Sequence, residues 1–138
     1  MPMEYVVHAE HQGGMKANAT SGDLSIQMDY PMGSGSFTPL ELVLVALAGC
    51  SLNSLAVLLL KAKQPVQHLS VTVKGSRREE HPTLFTQMDL DFLIQGEGVE
   101  SAAVERALKL SEEKICPVWA MLKPGVPIRA TYRLEKKA

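Results

Sequence analysis

Along the first thirty residues, apolar and polar positions alternate in three short runs. Tyr5, Val7 and Ala9 stand against Glu4, His8 and Glu10; Met15, Ala17 and Ala19 against Lys16, Asn18 and Thr20; Leu24, Ile26 and Met28 complete the third. Period-two alternation is what a strand with one covered face requires. His11-Gln12-Gly13-Gly14 and Ser21-Gly22-Asp23 separate the runs and carry turn residues, so the pattern predicts a three-stranded antiparallel meander. A loop, Met32-Gly33-Ser34-Gly35-Ser36, follows. Thr38 is then placed to cap a helix, Pro39 falls at the first helical position, where its missing N–H costs nothing, and Glu41 completes a capping box. Phe37 and Leu42 fit the flanking hydrophobic staple.

No residue from Leu42 to Leu60 is charged, and the run ends at Lys61, Lys63 and Pro65. Nineteen uncharged residues meet the length of a membrane span. Ser51, Asn53 and Ser54 at the middle, and the amphipathic strands around it, favour a buried helix instead. A small single-layer sheet covers only one side of such a helix, which predicts a second subunit on the other side and hence a homodimer.

Beyond the helix, Leu69, Val71 and Val73 alternate with Ser70, Thr72 and Lys74. A polar loop from Ser76 to Pro82 leads to a second strand, with Leu84, Met88, Leu90, Phe92 and Ile94 on one face and Gln87, Asp89, Asp91 and Gln95 on the other. From about Glu100 to Ile115 the period becomes helical, with Val104, Ala107, Leu108, Ser111 and Ile115 on one stripe and Glu105 four residues before Lys109. Cys116-Pro117 restarts a short helix, Val118 to Leu122, closed by Lys123-Pro124-Gly125. The last strand turns Val126, Ile128, Ala130, Tyr132 and Leu134 inward and Arg129, Thr131 and Arg133 outward.

The whole chain, residues 1–138 and 15.0 kDa, reads as one domain. With 46% hydrophobic and 21% charged residues it is too apolar for disorder. A formal charge of −1 gives no broad electrostatic footprint for nucleic acid or an anionic membrane. Two cysteines are too few for a secreted disulfide scaffold, and the start MPMEYVVHAEH has no basic segment leading into an apolar one. The expected compartment is the cytoplasm, where a disulfide between Cys50 and Cys116 would be transient and chemical rather than structural.

Cys50 lies in the middle of the apolar helix, with Asn53 and Ser54 on its face at i+3 and i+4. Buried thiols are usually inert. Cys116 would be the N-cap of the short helix, where free N–H groups and the helix dipole favour a thiolate, so local physics makes it the more acidic thiol. Its bland reading is a small apolar residue beside Trp119. Glu41 lies nine residues before Cys50, about 180° around a continuous helix and roughly 13 Å along it; the capping box accounts for it without catalysis, although a Glu reaching the thiol of a partner chain is an open alternative. His8 and His11 point to opposite faces of a strand and make a poor metal pair. No CxxC, HExxH or Walker pattern occurs, and Gly33 and Gly35 are not followed by GKS or GKT. No metal and no cofactor are expected.

The stretch FTPLELVLVALAGCSLNSL, beginning at Phe37, resembles the P-x-E-L-L-x-x-A-L-x-x-C central helix of the OsmC-like proteins, relatives of the organic hydroperoxide resistance proteins. KICPV, ending at Val118, resembles their second-cysteine motif. Strand order and helix placement agree over most of the chain. The resemblance implies an α+β fold, with antiparallel sheets wrapped around long central helices in an intertwined homodimer and two active sites at the subunit interface. It also implies that Cys50 is peroxidatic, attacking the O–O bond and becoming a sulfenic acid, and that Cys116 resolves it to a disulfide reduced by a small or protein-bound dithiol. This order reverses the ranking given by local dipoles.

Two positions depart from the organic hydroperoxide resistance pattern, which has Arg after an early Gly-Gly and Glu after the Pro of the central helix. Here Gly13-Gly14 is followed by Met15 and Pro39 by Leu40; Lys16 and Glu41, the candidate activating residues, are each one residue late and so on another face. Without a fixed cation beside it, a buried Cys50 should react slowly. The leading expectation is a thiol-dependent reductase of organic or fatty-acid hydroperoxides using Cys50 and Cys116, with an apolar substrate pocket that includes Phe37, Trp119 and Met121. The alternative is a dimeric binding protein for an apolar or electrophilic small molecule with little or no peroxidase turnover. A weaker third reading is a hot-dog thioesterase, which also wraps a curved sheet around a long helix.

Overall fold

Residues 3–136 are described by a computed structural model. Near its start β1 (His8–His11), β2 (Ala17–Ser21) and β3 (Leu24–Met28) form the predicted antiparallel meander, in the order β1-β2-β3. Gly22, at φ 57°, opens the two-residue turn that pairs Ser21 with Leu24. That turn leaves β2 only five residues long, so β1 begins at His8, opposite Thr20. Tyr5 and Val7, expected in the first strand, lie outside it and are exposed.

The helix α1 (Pro39–Lys61) begins at the predicted position, with the capping box formed in both directions. Thr38 N–H donates to Glu41 Oε1 at 2.9 Å and Glu41 N–H to Thr38 Oγ1 at 3.0 Å. By length and composition α1 could cross a membrane. Leu47, Ser51, Ser54, Leu55 and Leu59 are buried along one side. Ala46, Gly49, Asn53, Ala56, Val57 and Leu60 are exposed along another, so within one chain the helix is covered on one side rather than all round.

Next, β4 (His68–Arg77) and β5 (Phe85–Gln95) form a long antiparallel pair. Met88, Leu90, Phe92 and Ile94 are buried as the alternation predicts. Leu84 is not: it is exposed, and Phe85 is buried in its place. Ser76 pairs with Gln87 but Arg77 with Phe85, so the register shifts there and the inward set moves by one residue. Gly96, at the end of β5, has φ 156° and packs where a Cβ would collide with the Pro65 carbonyl.

The helical stripe after Glu100 is also broken. α2 runs Ser101–Leu110, a π turn takes Ser111–Ile115, and α3 spans Pro117–Leu122. The wider turn changes the phase, so Ile115, expected inward, is exposed and Cys116 is buried instead. The last strand, β6 (Ile128–Glu135), joins the second sheet in the order β4-β5-β6. It pairs with β5 in parallel, unlike every other strand pair. A parallel pair needs a crossover, and α2, the π turn and α3 supply it. The fold is thus mixed α+β, with antiparallel pairing between the described strands except β5 and β6. Two compact units are distinguished, one ending at Val43 and the other beginning at Leu44.

Candidate active site

Cys50 sits on α1 beside Leu47 and Ser54, at i−3 and i+4 on the covered side, and is half-buried. The polar patch read from the sequence is largely used up within the helix. Ser54 Oγ donates to the Cys50 carbonyl at 2.9 Å and Ser51 Oγ to the Ala48 carbonyl at 3.3 Å, while Asn53 faces outward. These are back-bonds of buried hydroxyls to the preceding turn.

Cys116 takes up the N-cap position predicted for it, at φ −78°, ψ 107°. Extended backbone is what a residue before proline prefers. Its N–H donates across the π turn to the Ser111 carbonyl at 2.9 Å, its carbonyl accepts from Ala120 N–H at 3.1 Å, and its Sγ accepts from Trp119 N–H at 3.5 Å. Cys116 and Trp119 are each 2% exposed. The two cysteines are free thiols, and the Cys50 side chain is near enough to act on the Cys116 thiol.

Burial pushes the Cys116 thiol up from its ordinary value, and the Cys50 side chain pushes it further; the backbone N–H groups of Trp119 and Val118 pull it down but less strongly. The expectation that the helix start makes Cys116 the thiolate is therefore reversed. Cys116 is held as a neutral thiol, a poor first nucleophile.

The other predicted residues are distributed as follows. Glu41 is occupied by the cap. Lys16 is exposed in the β1–β2 turn, where its N–H donates to the Gly13 carbonyl at 3.0 Å. Phe37 is half-exposed and lines a cleft of about 600 Å³ in the first unit, with Ile26, Gln27, Gly33 and Glu41. Trp119 lines a second cleft of about 290 Å³ with Leu108, Ile128, Ala130 and Tyr132, and there Tyr132 OH donates to Glu105 Oε2 at 2.6 Å. Met121 is exposed and lines neither. Among the described residues no three His, Cys, Asp or Glu side chains are grouped to hold a metal. Sequence reasoning missed Ser111 as a neighbour of Cys116, because it assumed α-helical spacing and the π turn leaves no mark in the sequence.

Fold and site together define a class: a small mixed α+β protein in which a thiol on a long apolar helix meets a second thiol capping a short one. The chain belongs to the OsmC-like protein family, whose model matches residues 32–131. It is 40% identical over 109 residues to Protein YhfA of Escherichia coli strain K12, covering 79% of this chain and 81% of that one. Among solved structures, a hypothetical protein from Aquifex aeolicus is 28% identical, with a TM-score of 0.88 over 99% of this chain and all of that one. An organic hydroperoxide resistance protein OsmC from Legionella pneumophila shares the fold at 18% identity, with a TM-score of 0.72 over 99% of this chain and 98% of that one.

Proposed function

We propose that this chain is a thiol peroxidase that reduces organic hydroperoxides, acting as a single domain in a cytoplasmic homodimer. The observation that carries the reading is the pairing of two free thiols, one half-buried and one held protonated by burial. The half-buried Cys50 thiolate attacks the peroxide. The O–O bond breaks, the alkoxide leaves and is protonated to the alcohol, and Cys50 becomes a sulfenic acid. Cys116 then displaces the sulfenic oxygen as water, forming the Cys50–Cys116 disulfide, which a small or protein-bound dithiol reduces by exchange. Trp119, whose backbone N–H reaches Cys116 Sγ and which lines a cleft of mixed apolar and charged residues, is the member of the expected substrate pocket nearest the chemistry. The hydroperoxide resistance protein that shares the fold supports the substrate class.

The test is turnover of cumene hydroperoxide with a dithiol donor. Cys50→Ser abolishes it, a loss of at least 10³-fold if the thiolate is the nucleophile, and Cys116→Ser completes one oxidation and stops. A Cys50→Ser protein that still turns over contradicts the proposal.

One observation favours a second reading, a small-molecule-binding protein without turnover. The Glu41 carboxylate is spent on the helix cap and Lys16 is exposed on its turn, so neither is assigned a part in activating Cys50. Ligand retained through purification, together with unreacted thiols in hydroperoxide, would support that reading.

A further inference from the structure

The two sulfurs that the proposed disulfide joins differ in how a nucleophile reaches them. Cys116 is 2% exposed, and Ser111 and Trp119, its hydrogen-bonded neighbours before and after it in the chain, are 1% and 2% exposed. Cys116 is also fixed at three points: its N–H donates to the Ser111 carbonyl at 2.9 Å, its carbonyl accepts from Ala120 N–H at 3.1 Å, and its Sγ accepts from Trp119 N–H at 3.5 Å. Uncovering it requires the π turn and α3 to open and those bonds to be lost. Cys50 is half-buried in the same chain. A second subunit docking on the protein only removes exposed surface, and the disulfide itself sets Cys50 Sγ against Cys116 Sγ, so neither uncovers Cys116.

Leaving-group chemistry pulls the other way. Attack on one sulfur of a disulfide expels the other, and a thiol leaves more slowly the higher its pKa. Burial pushes the Cys116 thiol up, which disfavours it as the departing group. That effect is a graded one on rate, whereas a sulfur with almost no accessible surface receives no in-line approach, so access decides.

We infer that the reducing thiolate attacks only the Cys50 sulfur of the disulfide, so that Cys50 alone carries the mixed disulfide with the reductant and Cys116 is always the leaving group. The inference rests on the disulfide of the peroxidase reading and deepens it by assigning the two halves of the reductive step. The bond from the attacking sulfur to Cys50 Sγ forms as the Cys50–Cys116 bond breaks. The electron pair of the broken bond goes to Cys116 Sγ, which takes up the proton that the attacking thiol gave to solvent. The reductant's second thiolate then attacks the reductant sulfur of the adduct, releasing Cys50 as thiolate and closing the reductant to its own disulfide. Two reductant thiols are oxidised and two protein thiols are regenerated.

The test uses wild-type protein oxidised to its disulfide by one equivalent of cumene hydroperoxide or, in a parallel sample, by diamide. 2-Mercaptoethanol, a monothiol that cannot complete the second step within one molecule, is added. Acid quenches the exchange at increasing times from seconds onward, so that the first adduct is read before it shuffles; N-ethylmaleimide in urea then blocks the remaining thiol, and peptide mass mapping locates both labels. At the earliest times the adduct is expected on Cys50 and the maleimide on Cys116, with the reverse pattern roughly tenfold rarer or less. A first adduct on Cys116 in comparable or greater yield overturns the inference and leaves the peroxidase reading standing. A disulfide obtained with diamide but not with hydroperoxide overturns that reading, while the mapping still decides which sulfur is attacked. No disulfide with either oxidant overturns both.

Discussion

At Cys116 opposing influences act on one sulfur. The N–H groups at the start of α3 favour the thiolate, burial favours the thiol, and burial is the larger. The first influence is legible in the sequence, since Cys-Pro before a short apolar run announces an N-cap; the second depends on packing that no local pattern reports. A stability consequence follows. The folded state holds the Cys116 proton above the ordinary thiol value of about 8.5, whereas the unfolded chain releases it there. Below that pH both states are neutral and the group is silent; above it the unfolded state binds fewer protons, so folding stability falls as pH rises toward the raised folded value. Urea midpoints of the reduced protein between pH 7 and 10 should drop more steeply for wild type than for Cys116→Ser, and parallel curves would contradict the assignment. Thr38 and Glu41, by contrast, were fully legible, because a capping box is a contact between residues three apart.

Among the elements, local periodicity locates most of them, and the departures in their bounds and inward faces come from pairing and packing. The meander, α1 and the buried face of β5 follow from period and turn residues. The register shift before Phe85, the π turn at Ser111–Ile115 and the parallel direction of β6 arise from pairing and packing across the chain, which alternation does not encode. The exposed stripe of α1, from Ala46 through Gly49, Asn53 and Ala56 to Leu60, bears on assembly. Its spacing of three and four residues is that of a helix seam, and its small residues permit close approach. Sedimentation at micromolar concentration should give twice 15.0 kDa. Val57→Asp, burying an unpaired carboxylate in that seam, should cost about 3 kcal/mol or more, over a hundredfold in dissociation constant. A wild-type monomer, or an unweakened Val57→Asp dimer, would rule the seam out.

Over the whole molecule, the proposed function rests on two thiols that are 66 positions apart in the chain, from 50 to 116. Neither cysteine is distinctive alone: one lies in an apolar helix and the other before a proline. Their pairing is legible only through the motif contexts that the resemblance supplies. The most direct measurement of the central claim treats fully reduced protein with one equivalent of cumene hydroperoxide and, separately, of hydrogen peroxide. Intact mass and thiol titration follow within seconds. The account predicts loss of both thiols and of two hydrogens to an intramolecular disulfide, faster with the organic peroxide. Two thiols surviving unchanged would contradict it.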